Sequence, residues 1–378
     1  MLRIAIIVGE PSGDLLAASL MAGLKKQLPN VCFYGVGGQN MKEQGFHSWY
    51  NMEQYTFMGL DKILIRFVQL KFLQKTIISR LRLDKPDLFI GVDSSSFNLK
   101  IAYTLKKDGI KTIQYVSPKV WAWRQDRVYK IKESVDYVLT LFPFEKDFLN
   151  RFHIQASFVG HPFADEIPLI QDKNDKRNKY GYRKKDQMIV VMPGSRSSDL
   201  KHMAPLFIET MIILQKNIPQ VKFVVPLLST KLKQQFEEQL KGNPHHLNLK
   251  IIVGKTRDIL SIADLVLIKS GTGTLETMLM KKPMVVAYKT GYFTYCYYRT
   301  FIAIPFISLP NILAQKDLVP EFIQDDAQPE LLANACLELI KQKEEEKVTL
   351  LYEFQKLHIE LKKNNQALIV EEIMNILT

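Results

Sequence analysis

LIKSGTGTLETMLMKKPMVV, residues 267–286, runs from an apolar stretch through four small residues into a helix-forming segment and out into a second apolar stretch. Apolar run, tight turn, helix and apolar run is the repeating pattern of a parallel α/β sheet. The turn, Ser270–Gly273, has two readings. In one, Gly271 and Gly273 supply backbone freedom and Thr274 caps a helix that includes Glu276. In the other, Ser270, Gly271, Thr272 and Gly273 are small so that an anion can reach the helix start, where unpaired amides and the helix dipole favour negative charge.

The same alternation continues in both directions. The first half has apolar runs at Ile4–Val8, Val31–Tyr34, Leu88–Val92, Thr112–Val116, Tyr137–Leu141 and Phe158–Val159. The second half has them at Met188–Met192, Lys222–Val225, Lys250–Val253, Leu265–Ile268 and Met284–Ala287. The stretch between the two sets, Gln171–Asp186, is polar and charge-rich, with linker character. The fold expected is α/β, with two Rossmann-like parallel-sheet domains over residues 1–165 and 186–344 and a helical tail over about 345–378. A chain of 378 residues has the length for two such cores. Ligands of open parallel sheets bind beyond the carboxyl ends of the strands, so the residues after each strand are the candidates.

Composition narrows the classes. With 47% hydrophobic and 24% charged residues the chain is globular, and it has no run of about eighteen apolar residues that would cross a membrane. The N-terminus MLRIAIIVGE enters a turn too early for a secretory signal and reads as a first strand, which points to a cytoplasmic protein. Cys32, Cys296 and Cys336 are far apart and no H-E-x-x-H occurs, so neither a disulfide framework nor a metal site is expected. The formal charge of +12 favours polyanionic partners: nucleic acid, an anionic membrane surface or a phosphorylated substrate. No RNP1 run or C2H2 spacing is present, so nucleic acid is not an expected partner. Part of the excess, RNKYGYRKK at Arg177–Lys185, reads as a solvated linker. GLDKILIRFVQLKFLQK, residues 59–75, is apolar almost all round a helix. That fits a core helix, or one dipping into a bilayer surface through Ile63 and Phe67 with Arg66 at the headgroups.

The first strand is followed by GEPSGD, which is neither G-x-G-x-x-G nor a Walker sequence. Its carboxylates, Glu10 and Asp14, disfavour a polyphosphate and suit a ligand bearing hydroxyls; Ser12 and Asp14 also serve as ordinary helix caps. The run GVDSSSFN puts Asp93 at the mouth of a strand, placed either to take a proton from a bound hydroxyl or to cap the next helix. The stretch YVSPKVWAWRQDRVYKIKES clusters Trp121, Trp123, Arg124 and Arg127, suited to a sugar, a base or a lipid headgroup, with core packing expected for one of the two tryptophans. In the second half, MPGSRSSDLKH puts Ser195 and Arg196 at a strand end, and a guanidinium there suits a diphosphate. Glu276, one turn beyond Ser270–Thr274, is placed to accept hydrogen bonds from ribose hydroxyls.

Two such domains, with phosphate-friendly loops on the second, resemble the GT-B glycosyltransferase fold. In order, GEPSGD, GVDSSSFN, YVSPKVWAWR, FPFEKDF, FVGHPFAD, PGSR, SGTGTLE and SLPNILA resemble the motifs of the lipid A disaccharide synthase family, an inverting glycosyltransferase family (family 19), over residues 4–335. The resemblance implies a cofactor- and metal-independent transfer. The donor would be UDP-2,3-diacylglucosamine and the acceptor 2,3-diacylglucosamine 1-phosphate, at the cytoplasmic surface of the inner membrane. It further implies Asp93 as base with Glu10 as its rival, Ser12, Gly13 and Asp14 on the acceptor side, and Arg196, Ser195, Ser270–Thr274, Glu276 and Asn311 on the donor. A C-terminal helix returning to the first domain and a homodimer are also implied. The chain departs from the family pattern at Gln39 and Asn40, where Pro and Arg are usual, at Ser96, where an acid is usual, and at Asp199, where Glu is usual. These departures bear on the acceptor side and leave open a diverged paralogue. Other readings are another GT-B enzyme of a nucleotide sugar, such as a peptidoglycan-precursor N-acetylglucosamine transferase or an epimerase, and, from the +12 charge, a nucleotide-sugar- or polyanion-binding protein without turnover.

Overall fold

The structure, a computed structural model, describes residues 1–51, 63–170, 174–241, 246–300 and 304–377; side chains at 11, 51, 63–68, 174–175, 293–294 and 297–298 lie outside that description. The chain divides into two compact units, residues 1–165 with 361–378, and residues 166–360.

In the first unit the strands are β1 (Leu2–Val8), β2 (Val31–Gly37), β3 (His47–Asn51), β4 (Leu88–Val92), β5 (Lys111–Tyr115), β6 (Tyr137–Thr140) and β7 (Ala156–Phe158), in the order β3-β2-β1-β4-β5-β6-β7. Every pairing is parallel. β1 and β4 are buried almost throughout, which accounts for runs such as Ile4–Val8 that are continuously apolar: a strand covered on both faces has no polar side to show. The helix Ser95–Lys107 buries Asn98, Ile101, Ala102 and Leu105, the three-and-four spacing of one helical face. At the C-terminus the helix Asn365–Leu377 packs on the helix Pro11–Gln27, so closely that a Cβ on Gly23 would stand 2.8 Å from Val370.

The second unit repeats the plan with β8 (Met188–Met192), β9 (Lys222–Leu227), β10 (Leu249–Val253), β11 (Leu265–Lys269), β12 (Met284–Tyr288) and β13 (Glu321–Ile323), in the order β10-β9-β8-β11-β12-β13, again all parallel. Its core is built on the helix Ser197–Asn217, which buries Leu200, Met203, Ala204, Phe207, Met211 and Leu214 against the sheet.

Three expectations are corrected. β3 and β13, both edge strands, have no apolar run: HSWYN is polar and aromatic, and EFI has three residues. The stretch Arg177–Lys185 is not merely a solvated linker. Arg177 is 5% exposed and donates to the carbonyls of Ile262, Lys184 and Asp186 and, at 2.6 Å, to Asp264, so it fastens the segment to the second unit. The helical tail is shared: residues 344–360 belong to the second unit and 361–378 to the first.

Candidate functional site

In the first unit the strand order reverses at β1 and β4, which lie side by side while their connections leave in opposite directions. A reversal of this kind opens a crevice at the carboxyl ends of the two strands. The loops there are Gly9–Asp14 and Asp93–Ser96, and they touch: a Cβ on Gly13 would lie 3.6 Å from Asp93 Cβ, and one on Gly9 would collide with Ser94 Oγ.

Asp93 stands at φ 51°, in the left-handed region that costs an ordinary residue of order 1 kcal/mol or more. Two fully buried amides hold it there. Asn98 Nδ2 and Gln114 Nε2 both donate to the Asp93 carbonyl oxygen, at 3.0 and 2.9 Å, while the Asp93 amide donates to Tyr115 O at 2.9 Å. The carboxylate makes no hydrogen bond or ion pair with a described residue. It does not cap the following helix either, whose N-cap is Ser94. The segment is thus held entirely by its backbone, with the acid group unspent.

The neighbouring carboxylates differ. Glu10 is exposed, at the N-cap of the helix Pro11–Gln27, and its side chain makes no capping bond. Asp14 is 2% exposed and saturated: it accepts from the amides of Gly38 (2.8 Å), Asn40 (3.0 Å) and Met41 (3.3 Å) and from Asn40 Nδ2 (2.8 Å). Its oxygens therefore organise the turn after β2 and are not presented to a ligand. Of the acceptor-side residues, Ser12 is exposed and Gly13 is buried against Val8. Beyond β5, Trp121 is buried and donates to Glu145 Oε1 (3.2 Å), while Trp123 is half-buried beside Arg127. Burial pushes the Glu145 carboxyl up to about 7, against the pull of the Trp121, Phe142 and Leu141 N–H groups.

In the second unit the reversal falls at β8 and β11, and the loops there are Pro193–Asp199 and Ser270–Thr274. Gly194, at φ 128°, lies so close over Asp199 that a Cβ would collide with it. Asp199 Oδ2 accepts from the amides of Ser195 and Arg196, both at 3.2 Å, and Oδ1 pairs with Lys269 Nζ at 3.2 Å. One ion pair thus ties the two loops together. Ser195 and Arg196 are exposed, and the guanidinium of Arg196 has no partner among the described residues.

The helix after the SGTG turn starts at Thr272, two residues before the expected cap. Thr274 is fully buried, donating to Gly271 O (2.8 Å) and accepting from Leu309 N (3.2 Å). Ser270 Oγ donates to Ile307 O at 2.6 Å, so the 307–311 segment packs directly on the turn. The amides of Thr272 and Gly273 have no acceptor among the described residues. Glu276 takes Arg257 Nε at 3.1 Å on one oxygen. Asn311 is buried and fully engaged: Nδ2 donates to Val319 O and Glu321 Oε1, and Oδ1 accepts from the amides of Leu318 and Val319. It shapes the loop, and its amide does not face a ligand.

Lys269, Gln114 and Glu321 were not singled out by sequence reasoning. Glu321, on β13, gathers the amides of Ile307 and Ser308 and the Asn311 side chain. Lys269 lies within the 267–286 stretch as the polar last residue of an apolar strand, and that position was the available signal. Ile63, Arg66 and Phe67 lie in the helix Ile63–Asp84, but their side chains are outside the described residues, as are residues 52–62. Further along that helix Phe72 is 72% exposed. No helix among the described residues is long and apolar enough to cross a membrane.

Residues 4–373 match the family model described as lipid-A-disaccharide synthetase. Lipid-A-disaccharide synthase 2 of Legionella pneumophila (strain Lens) is 46% identical over 89% of this chain and 88% of its own length. The lipid-A-disaccharide synthase of Hahella chejuensis is 41% identical over 100% of this chain and 94% of its own. Among solved structures, the UDP-GlcNAc 2-epimerase of Neisseria meningitidis bound to UDP-GlcNAc superposes with a TM-score of 0.68 at 13% identity, covering 99% of this chain and 100% of that one. A kitacinnamycin glycosyltransferase gives 0.61 at 16% identity, covering 100% and 99%. At such identities the structural likeness speaks for the GT-B fold alone.

Proposed function

The chain belongs to the lipid-A-disaccharide synthetase family and is a glycosyltransferase of lipid A biosynthesis; from that premise we propose its substrates and the work of its residues. The donor is UDP-2,3-diacylglucosamine and the acceptor 2,3-diacylglucosamine 1-phosphate. The acceptor's primary hydroxyl attacks the anomeric carbon of the donor. The new C–O bond forms on one face as the bond to the UDP diphosphate breaks on the other, so the configuration inverts. The hydroxyl proton passes to Asp93, and UDP leaves with the electron pair of the broken bond.

The observation that carries this reading is Asp93, an unspent carboxylate on a backbone clamped by two buried amides at a strand-order reversal. A primary hydroxyl is a weak nucleophile at neutral pH, and a positioned base accelerates its attack by about 10²–10⁴-fold. On the donor side, negative charge grows on the diphosphate as it departs. Arg196 and the amides of Thr272 and Gly273 are groups that stabilise that charge more in the transition state than in the ground state. Asp199 and Lys269 hold those groups in advance. Ser12 and Gly13 remain acceptor-side residues, Glu10 the alternative base, and Glu276 a ribose contact through its second oxygen.

Both substrates carry acyl chains, so the protein works at the cytoplasmic surface of the inner membrane. Exposed Phe72, flanked on its helix by Lys71 and Lys75, supports that placement, with Phe67, Arg66 and Ile63 roughly one and a half to two and a half turns earlier on the same helix. The test is incubation with both substrates followed by mass spectrometry. The expected products are UDP and a disaccharide 1-phosphate carrying the acyl groups of both sugars. An isomerised UDP-sugar without disaccharide would instead identify an epimerase, and binding without any product a carrier.

A further inference from the structure

We propose that Arg127 and Ser96 form a recognition site for a phosphate monoester, the anomeric phosphate of the acceptor, beside the candidate base. The proposal rests on the acceptor reading above and extends it to a part of the substrate that no residue has yet been assigned to hold.

Arg127 ends the short turn Gln125–Arg127 beyond β5. Its Nη2 donates to Ser96 Oγ at 3.3 Å, and its guanidinium carbon lies 5.9 Å from the centre of the Trp123 ring. Those are its side-chain contacts among the described residues, and both are neutral; the Asp126 carboxylate, bound to Arg124, adds only a weaker charge attraction. The neighbouring cation is placed differently: Arg124 is bound through two nitrogens to Asp126, at 3.1 and 3.3 Å. Arg127 therefore keeps a full charge with most of its donor fork unspent, half-buried and oriented by an aromatic face and a hydroxyl. A planar fork of N–H donors matches two oxygens of a phosphate, and the Ser96 hydroxyl supplies a donor for a third.

Location fixes which phosphate. Ser96 is three residues after Asp93, within the same loop and helix start. On a hexopyranose the anomeric phosphate and the primary hydroxyl are borne on the two sides of the ring oxygen. One short segment can therefore hold the first while offering the second to a base. A bilayer phosphodiester presents similar oxygens, but it brings no hydroxyl to Asp93, so the monoester is the occupant chosen.

The test compares Arg127→Ala, Arg127→Lys and Ser96→Ala with the parental protein, all checked for unchanged melting temperature. The substrates are the phosphorylated acceptor and the same diacylglucosamine without its phosphate. The parental preference for the phosphorylated acceptor, as a ratio of kcat/KM, should fall by about 10–100-fold in Arg127→Ala, the scale of a charge-assisted contact. The change should lie in the acceptor KM, with UDP affinity kept, and Arg127→Lys should recover part of it. Arg127→Ala with its preference intact overturns the proposal. So does a variant that keeps the preference but loses binding to phosphatidylglycerol vesicles relative to phosphatidylcholine ones, since the anion would then be a lipid headgroup. If the parental protein makes no disaccharide, the substrate reading fails separately. Calorimetric binding of glucosamine 1-phosphate to parent and Arg127→Ala then decides the site: weaker binding by the variant supports it, and equal binding overturns it.

Discussion

Asp14 spends its carboxylate inside the fold, on Gly38, Asn40 and Met41, whereas Asp93 presents a carboxylate held only through its main chain. Both follow strands at the same reversal, Asp14 in the first turn of its helix and Asp93 just before one, and sequence gives no sign of which way the oxygens turn. The same holds for Asn311, whose amide is consumed by Val319 and Glu321. What was legible at this scale was where polar residues gather. What was not was their partners, because Gln114 and Lys269 act on groups that only tertiary packing brings near, and Asn98 turns back on a carbonyl five residues before it. Asn98→Ala removes one donor from the Asp93 carbonyl and frees a strained backbone to relax. Turnover should fall by about 10–100-fold, the cost of small misplacements at a reacting group, with UDP affinity at the parental level. Equal loss of UDP binding would show a general collapse instead. In the proposed donor role of Arg196, Arg196→Ala removes a charge-assisted contact whose strength grows as UDP departs. kcat and donor affinity should both drop, together by about 10–100-fold in kcat/KM, while the acceptor KM holds. Steady-state kinetics on both substrates check the split.

At the scale of elements, the central strands were plain in the sequence because burial on both faces demands unbroken apolar runs, and Leu88–Val92 and Met188–Met192 were delimited to the residue. The edge strands β3 and β13 were not, since HSWYN and the three-residue EFI offer no apolar run, whereas the edge strand β10 has one in LKIIV and was read. The helix after SGTG begins at Thr272 because the turn itself supplies the first helical residues, with Gly271 as cap. The helix Pro143–Arg151 shows an element end with a pH-dependent contribution. Glu145 accepts the amides of Leu141 and Phe142 and the Trp121 indole, yet burial raises its carboxyl from 4.5 to about 7. The folded state thus holds this proton more tightly than the unfolded chain. The stability gained is full below pH 4.5 and is lost as pH rises through about 7. Glu145→Gln should flatten that part of the melting temperature's decline with pH, while losing one of the three N–H contacts and so lowering stability at low pH. Melting curves across this range for parent and variant measure it, and an unchanged slope would remove Glu145 as its source.

The whole molecule consists of two parallel-sheet units of one plan, each with paired loops at its own strand-order reversal. That plan was readable from the alternation of apolar runs and turns. The extent of each unit was less plain: Arg177 joins its unit by contacts distant in sequence, and the return of the C-terminal helix to the first unit came from the family resemblance and not from the alternation. A formal charge of +12 suits the diphosphate donor, phosphorylated acceptor and anionic surface proposed above. The proposed chemistry turns on the identity of the base. Disaccharide formation and UDP binding by Asp93→Asn, measured beside Glu10→Gln and the parental protein, test it most directly. The variant should fold, bind UDP as the parent does and lose turnover by about 10²–10⁴-fold. Full activity in Asp93→Asn together with its loss in Glu10→Gln would contradict the assignment and move the base to the first loop.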